Sequence, residues 1–373
     1  MGTSILRLVS VLAVLCVMAT ATLSAQAQHR GDDKVPSWVQ FSYEPYPLPY
    51  YVDDTNRYPA ATPPNGAVNR HGELEYIGNG VFAAHWFVSA HEAVWHFVTA
   101  GNPSKDVILF AHGHPDTWYA YSKVMAELAD EYYVIAVDTL GYGQSDKRAE
   151  IDVSYSAVAK SLIVLLDRLG VVTFNLITHD RGSVISDHLI ATDGMSDRIS
   201  AFLRMQQSFD KPHGFPRPAH EQMADAAWQA GNVVRGIYDS NYVSVQVPEN
   251  ELARLEWEFQ FPGTPEAAAR TFQGTSFETE REFRIKNTIP NMTMPVVIMQ
   301  GIRDPGQHPE EYYGAADLIP NGRVVFVDAN HFIHTEDPTL VARVAHQLFR
   351  FKNEKRPNKL SSEPVSFLYP EKR

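Results

Sequence analysis

The chain has 373 residues, of which 44% are hydrophobic and 20% are charged, and its formal net charge at pH 7 is −12. This is the composition of a globular protein long enough to bury a large core, and it excludes disordered, collagen-like, disulfide-scaffold and multi-pass membrane proteins. Nucleic acids and anionic membranes select basic surfaces, so the acidic balance argues against both as partners and favours a small-molecule ligand.

The first 27 residues have the pattern of a secretory signal peptide. Arg7 precedes an apolar stretch over residues 8–23, and residues 25–27 (Ala-Gln-Ala) have the small-x-small form that a signal peptidase accepts. The stretch is short for a spanning helix, and an uncleaved anchor is the alternative. We therefore predict a secreted or periplasmic protein with no stable membrane insertion after cleavage. The single cysteine, Cys16, lies in this segment, so the mature chain would have no disulfide or thiol chemistry.

The next part of the chain changes from an irregular arm to regular structure. Residues 28–75 are rich in Tyr and Pro without helical or strand periodicity, which predicts an extended surface arm. Alternating apolar residues at 82–88 and 93–98 predict a hairpin. Short apolar runs then alternate with helical segments, as in a parallel sheet covered on both faces. These runs are VILFAHG from Val107, YYVIAVDTLG from Tyr132, FNLITHDRG from Phe174, AFLRMQQ from Ala201, PVVIMQG from Pro295 and RVVFVDA from Arg323.

Two of the helices between the strands have clear end signals. Ser154 is a candidate N-cap for a helix with an apolar stripe, and Gly170 stands where a glycine usually follows a helix. A last helix is predicted to open at Asp337-Pro338, since proline is favoured in the first helical turn.

The alternation of strands and helices breaks for about 80 residues before it resumes. This segment is more polar, aromatic and proline-punctuated, and long insertions of this kind usually cover an active site. We predict a cap inserted into an α/β core. The predicted organisation is signal peptide 1–27, arm 28–75, first core part 76–208, cap 209–288, second core part 289–352 and a frayed tail 353–373.

Polar side chains follow three of the predicted strands. Asp180 lies in the run Thr-His-Asp-Arg-Gly-Ser, which has the small-x-nucleophile-x-small-small form of a nucleophile elbow, with Asp where a serine hydrolase has Ser. Asp304 follows the strand VVIMQG and His331 follows RVVFVDA. The carboxyl ends of parallel strands form the ligand-binding edge of such a sheet, and the order nucleophile, acid, histidine is that of the α/β-hydrolase fold.

These three assignments have competitors in the sequence. An Asp before a helix is often only an N-cap, and Asp317 and Asp328 compete with Asp304 for the acid. His334 lies three residues beyond His331, which we prefer because it is nearer the strand end.

A carboxylate nucleophile suits an electrophilic sp3 carbon. Asp180 would attack it to give an alkyl ester, and His331, oriented by Asp304, would activate water to cleave that ester. The backbone N–H groups of Arg181 and His114 are the predicted oxyanion donors, because they follow the nucleophile and the strand VILFAHG.

The chain contains five motifs at or near predicted strand ends: HGHP from His112, GYGQSD from Gly141, HDRG from His179, QGIRDP from Gln300 and NHF from Asn330. Together and in this order they resemble the epoxide hydrolase and haloalkane dehalogenase branch of the α/β-hydrolases, over about residues 80–350. The resemblance implies an α/β fold with a mostly parallel eight-stranded sheet flanked by helices and an inserted, mainly helical cap. It also implies Asp180 as nucleophile, Asp304 and His331 as the charge-relay pair, and a cis peptide between His114 and Pro115.

Within that branch the substrate-contacting positions are ambiguous. Haloalkane dehalogenases generally hold the halide with a Trp after the nucleophile and often an Asn after His-Gly, where this chain has Arg181 and His114. The string HDRG resembles haloacetate dehalogenases, whose arginine meets the substrate carboxylate, but their second arginine is replaced by Val184. Arg181 could alternatively pair with a cap carboxylate such as Glu221.

Epoxide hydrolases protonate the opening oxygen from the cap with two tyrosines, or with a tyrosine and a histidine. Tyr238 and Tyr242 are the candidates, on one helical face if that stretch is helical. Where a second tyrosine is expected before the next core strand, the chain has Phe277 and Phe283.

Other motif classes are not found. The sequence lacks C-x-x-C, H-E-x-x-H and phosphate-binding or dinucleotide-binding glycine motifs, so we predict no metal and no cofactor. The leading prediction is an epoxide hydrolase, the second a haloacetate or haloalkane dehalogenase, and the third a non-catalytic binding protein with this fold.

Overall fold

The computed structural model describes residues 57–207, 217–231, 233–312 and 314–350. The predicted signal peptide, the first part of the predicted arm and the predicted tail lie outside these residues. Among the helices that the model describes, none is long and apolar enough to cross a bilayer.

The core is a nine-stranded sheet in the order β1-β2-β3-β5-β4-β6-β7-β8-β9. The sheet therefore has one strand more than the eight expected. The additional strand lies at the end of the predicted arm, where the run LEYIG has alternating burial and forms an edge strand paired antiparallel with β2. The strands are β1 Leu74–Gly78, β2 Val81–Ala90, β3 Ala93–Ala100, β4 Val107–Ala111, β5 Tyr133–Val137, β6 Phe174–His179, β7 Ile199–Met205, β8 Val296–Gly301 and β9 Gly322–Val327.

The sheet combines an antiparallel end with a parallel body. Strands β1, β2, β3 and β5 pair antiparallel in turn, and the predicted hairpin is β2 with β3. The six predicted apolar runs are strands β4 to β9, and all pairs among them are parallel. Their carboxyl ends therefore meet at one edge, where β4, β6, β8 and β9 deliver the residues predicted to be functional.

Helices cover both faces of this sheet. Alternate residues of β4 fall into two apolar clusters. One cluster is shared with the helices α2 (Tyr155–Arg168) and α3 (Arg181–Ile190), and the other with α1 (Ser122–Leu128) and α12 (Pro338–Arg350). Full burial of one large aliphatic side chain contributes about 1.5–3 kcal/mol, so two clusters of this size fix the layers firmly. The helices of the core are α1 Ser122–Leu128, α2 Tyr155–Arg168, α3 Arg181–Ile190, α4 Met195–Arg198, α11 Ile333–Glu336 and α12 Pro338–Arg350.

The predicted end signals of two helices are present. The hydroxyl of Ser154 accepts a hydrogen bond from the Ala157 N–H at the start of α2. At the start of α12, the Asp337 carboxylate accepts a bond from the Leu340 N–H, 2.8 Å away.

Between β7 and β8 the described chain is mainly helical, as expected for the inserted cap. A third apolar cluster joins these helices to the core, with Tyr238 and Phe259 from the cap packed near Phe332. A π-helix at Arg284–Thr288 leads back towards β8. The cap helices are α5 Arg217–Met223, α6 Ala226–Gln229, α7 Val233–Tyr238, α8 Glu249–Phe259, α9 Thr264–Gln273 and α10 Phe277–Phe283.

Candidate active site

Asp180 stands at a sharp turn between β6 and α3. Its backbone has φ 46° and ψ −117°, a conformation that a non-glycine residue adopts only where the surroundings enforce it. The turn fits because two residues packed closely around it, Gly182 and Gly113, have no side chain. A Cβ on Gly182 would lie 2.1 Å from the Ala111 carbonyl oxygen, and one on Gly113 would lie 2.4 Å from the Asp180 Cβ. The Asp180 side chain is thereby presented at the carboxyl end of the sheet.

The structure brings His331 and Asp304 to this carboxylate. His331 Nδ1 lies 2.7 Å from Asp304 Oδ2, and its Nε2 lies 3.8 Å from Asp180 Oδ2. Asp304 is held in place because its other oxygen accepts bonds from the N–H groups of Gly306 and Gln307. With Nδ1–H donated to Asp304, the Nε2 lone pair of a neutral His331 faces Asp180.

The residues that competed for these positions lie elsewhere. His334 contacts a different carboxylate, that of Asp116, at 3.2 Å. Asp328 pairs with Arg303 at the surface, and Asp317 lies in a short 3-10 helix, Ala315–Leu318.

The surroundings of Asp180 and His331 favour an ionised carboxylate and a basic imidazole. Burial disfavours the charged form of Asp180, but Arg181 and His331 outweigh it and hold its pKa below the ordinary range. Burial likewise lowers the pKa of His331, yet the Asp304 carboxylate beside it raises the net pKa above 6.5. Asp180 is thus ionised at neutral pH, and the pKa of His331 lies above its usual range.

The predicted oxyanion donors are the backbone N–H groups of His114 and Arg181. The His114 N–H donates to Asp180 Oδ1 over 3.0 Å, and the Arg181 N–H belongs to the first residue of α3. The peptide bond between His114 and Pro115 is cis, as the resemblance implied. Burial lowers the pKa of the His114 imidazole to about 3, so this ring is neutral.

A cavity opens above Asp180 between the core and the cap. Core residues form its floor and cap residues its roof, and both the Asp180 carboxylate and the His331 imidazole reach it. Its lining is mostly apolar with a few convergent polar groups, as is usual for small-molecule sites. It is lined by His114, Asp180, Arg181, Met223, Ile237, Tyr242, Phe272, Gly306, Gln307, His331 and Phe332.

Arg181 places a buried positive charge in this cavity. Its guanidinium lies 5.0 Å from the ring centre of Phe272 and 4.6 Å from that of Phe277, so cap aromatic rings flank it. Its nearest carboxylate contact is Asp180, with Nε 3.8 Å from Oδ1, and no ion pair joins it to Glu221 within the described residues. Among the described residues, the buried Nε of Arg181 has no hydrogen-bond partner.

The two candidate tyrosines, Tyr238 and Tyr242, lie in different surroundings. Helix α7 ends at Tyr238, so Tyr242 does not share a helical face with it. The Tyr238 hydroxyl donates to Asp116 over 2.6 Å and Tyr238 is absent from the cavity lining, which removes the basis for a leaving-group role. Tyr242 does line the cavity, and its carbonyl accepts the His331 N–H over 3.0 Å.

A second buried cluster lies next to this site and was not predicted. Asp116, His179 and His334 offer ligand atoms that lie within 4.8 Å of one another, which makes them a group that could hold a metal ion within the part of the chain that the structure describes. Two signals could have revealed the cluster: Asp116 follows the motif HGHP, and each histidine is within three residues of a predicted site residue.

Comparison with known protein families shows which family the chain belongs to. The model of the family described as alpha/beta hydrolase fold matches residues 106–338 of this chain. The chain belongs to the alpha/beta hydrolase family. Mouse (Mus musculus) Epoxide hydrolase 4 is 37% identical over 94 residues, which is 25% of this chain and 26% of that protein. The first relatives found are thus matched over only about a quarter of their own length.

Longer matches are weaker in identity. The Soluble epoxide hydrolase of Corynebacterium sp. (strain C12) is 25% identical over 272 residues, 68% of this chain and 93% of that protein. Among solved structures, a haloalkane dehalogenase loop variant, DbeA-M1 from Bradyrhizobium elkanii, has a TM-score of 0.57 at 17% identity, covering 71% of this chain and 96% of that one. At this identity the structural likeness shows the fold alone.

Proposed function

We propose that the protein is a hydrolase that opens a bond at an sp3 carbon through an alkyl ester on Asp180. The observation that carries this proposal is the arrangement of Asp180, His331 and Asp304 at the floor of an apolar cavity. An ionised carboxylate at an elbow is a nucleophile, and an imidazole oriented by a second carboxylate is a general base.

In the first step, an oxygen of Asp180 attacks the substrate carbon, and the electron pair of the broken bond leaves with oxygen or halogen. A halide leaves as an anion, whereas an opened epoxide becomes an alkoxide that needs a proton. Tyr242 is the cavity residue suited to donate it, since its hydroxyl belongs to a half-buried side chain in the lining.

In the second step, His331 Nε2 removes a proton from water, and the oxygen attacks the ester carbonyl carbon. The N–H groups of His114 and Arg181 would stabilise the oxyanion of the tetrahedral intermediate, and each such donor is worth about 2.7–4 kcal/mol. Collapse breaks the bond from the carbonyl carbon to the substrate oxygen, and that oxygen takes the proton held by His331 to form the alcohol. Asp180 is left as a carboxylic acid that carries the second proton of water, and it returns to the carboxylate by releasing this proton to solvent or, after an epoxide, to the phenolate of Tyr242.

We place epoxide hydrolysis first. One epoxide hydrolase is among the relatives matched over most of their length, and the positions that hold halide in haloalkane dehalogenases carry Arg181 and His114. Tyr242 supplies the proton donor that ring opening needs and that halide departure does not.

A dehalogenase acting on halo acids is the second candidate, and Arg181 favours it. A buried guanidinium beside the proposed nucleophile, with an Nε that has no acceptor among the described residues, suits a substrate carboxylate, since arginine and carboxylate pair well.

One assay separates the candidates. The purified chain is offered styrene oxide, bromoalkanes and haloacetates, and diol and halide are measured; we expect diol from the epoxide. Arg181→Gln should reduce kcat/KM for haloacetates by roughly tenfold or more if the arginine holds a carboxylate. Arg270→Gln removes a cap guanidinium outside the cavity and is the matched control. Halide without diol would place dehalogenation first. No product and no adduct from any substrate would favour a binding protein.

The predicted export is also part of the proposal, together with the domain boundaries given above. Amino-terminal sequencing of the exported protein should begin at Gln28, immediately after the small-x-small site. A mature chain that still begins at Met1 would contradict cleavage.

A further inference from the structure

The loop that carries His331 crosses a neighbouring strand to reach Asp180. Asp180 follows β6 and His331 follows β9, and β7 and β8 lie between these two strands in the sheet. The loop passes close over the end of β8, since a Cβ on Gly301 would lie 2.2 Å from the Asn330 carbonyl oxygen. The position of His331 therefore depends on what holds the loop beyond β8.

Gln206, the first residue after β7, holds the loop at that point. Its side-chain Nε2 donates to the carbonyl oxygen of Asn330, the residue before His331, over 2.6 Å. Gln206 is fully buried, and its backbone has a φ of 42°, a left-handed conformation that is uncommon for a non-glycine residue and is often found at functional sites. The carboxyl end of β7 thus contributes to the site, although no residue after this strand was predicted to do so.

Gln206 also contacts the loop that carries Asp304. Its carbonyl oxygen accepts a bond from the side-chain Nε2 of Gln307 over 2.9 Å, and the backbone N–H of Gln307 donates to Asp304 Oδ1 over 3.1 Å. The side-chain oxygen of Gln307 in turn accepts the hydroxyl of the buried Tyr312. Gln206 therefore links the loop of Asp304 to the loop of the histidine that Asp304 orients.

Asp180 is held by bonds of its own. Its N–H donates to the Met205 carbonyl oxygen over 3.1 Å, and its Oδ1 accepts the His114 N–H over 3.0 Å. Among the described residues, the Gln206 side chain makes its hydrogen bond to Asn330 and none to Asp180. A change of that side chain thus leaves the contacts of the proposed nucleophile in place and removes a tether of the proposed base.

We propose that Gln206 is a positioning residue that fixes His331 beside the ester on Asp180, a role that rests on the proposed function. A reacting group misplaced by 1 Å reduces rates by about 100-fold. The full loss is not expected here, because His179 Nε2 donates to the next carbonyl oxygen of the loop, that of His331, over 3.0 Å and remains as a second tether.

The test measures ester formation and ester hydrolysis separately in Gln206→Met, which keeps the length of the side chain and removes the donor. We expect hydrolysis to slow roughly tenfold more than formation. Asn175→Leu is the matched control, because it removes a buried side-chain amide that donates to the Val107 carbonyl oxygen near the opposite end of β6. The ratio of the two rates in this control should equal that of wild type.

A proton NMR signal tests the position of His331 without any substrate. The Nδ1 proton of His331, bonded to Asp304 Oδ2 over 2.7 Å, should resonate at low field and is assigned by its loss in His331→Gln. In Gln206→Met this signal should move upfield or be lost to exchange with water. The Nδ1 proton of His96, bonded to Asp138 Oδ2 over 2.7 Å, should not move and is the internal control. If no substrate forms an ester, the proposed function fails, while this signal still decides whether Gln206 positions His331.

Two results would overturn the proposal. Equal slowing of ester formation and ester hydrolysis would leave Gln206 with a role in folding alone. An unmoved His331 signal in the folded variant would show that the imidazole keeps its place without the bond to Asn330. If Gln206→Met does not fold, Gln206→Asn makes the same test, because its amide is one methylene too short to reach that carbonyl oxygen.

Discussion

The floor and the roof of the cavity are built in different ways. On the floor, strand ends deliver each polar group: Asp180 after β6, Asp304 after β8 and His331 after β9. On the roof, Tyr242 follows a short helix, and Phe272 lies near the end of another. The floor is fixed by the register of a buried sheet, whereas the roof depends on how short helices pack. We therefore expect the floor to determine the chemistry and the roof to determine the substrate.

This contrast explains what the sequence could predict. The apolar runs are long enough to identify strands β4 to β9, and the position directly after each strand locates the three floor residues. No comparable rule places the roof. The i and i+4 spacing of Tyr238 and Tyr242 suggested one helical face, but the helix ends at Tyr238 and its hydroxyl bonds to Asp116. The missed strand β1 is five residues long and follows an irregular, proline-rich stretch.

The largest expected effect comes from removing the proposed nucleophile, Asp180, on the floor. Asp180→Asn should lower kcat by about 10⁴-fold or more, because an uncharged amide does not form the ester. The melting temperature should change by only a few degrees, since the substitution preserves shape. Steady-state turnover and a thermal melt check this, and near-normal turnover in a folded variant would exclude Asp180 as the nucleophile.

The backbone under the nucleophile should be the next most sensitive feature. Gly182→Ala would push a Cβ to 2.1 Å from the Ala111 carbonyl oxygen, so the elbow must shift. A shift near 1 Å reduces rates about 100-fold, and overpacking destabilises by about 1–3 kcal/mol. Rapid-quench measurement of ester formation and urea unfolding test this.

Gly236→Ala on the roof is the matched control. Its added Cβ meets nothing within 4 Å inside helix α7, so stability should be unchanged or slightly higher. Similar losses in both variants would contradict the asymmetry between floor and roof.

The two steps should differ in pH dependence. Ester formation uses the Asp180 carboxylate, whose pKa is lowered. Since Asp180 stays ionised, the rate of ester formation should not change with pH between about pH 5 and about pH 8. Hydrolysis needs neutral His331, whose pKa is raised, so its rate should fall as pH drops through that value. Single-turnover measurements across pH check this, and a flat hydrolysis profile would remove His331 as the base.

The smallest expected effect is on the roof. Tyr242→Phe should slow ring opening of an epoxide by roughly 10- to 100-fold and leave halide release from a bromoalkane nearly unchanged, because halide needs no proton. Parallel assays of diol and halide with this variant measure the difference. Equal losses on both substrates would assign Tyr242 to packing against His331.

The central claim is a covalent bond between the substrate and Asp180, and trapping that ester tests it most directly. In His331→Gln the base is absent, so the ester should form and persist. Intact-mass and peptide mass spectrometry after incubation with a reactive epoxide or haloalkane should show the added substrate mass on the peptide containing Asp180. No adduct with a substrate that the wild-type protein turns over, or an adduct on another residue, would contradict the account.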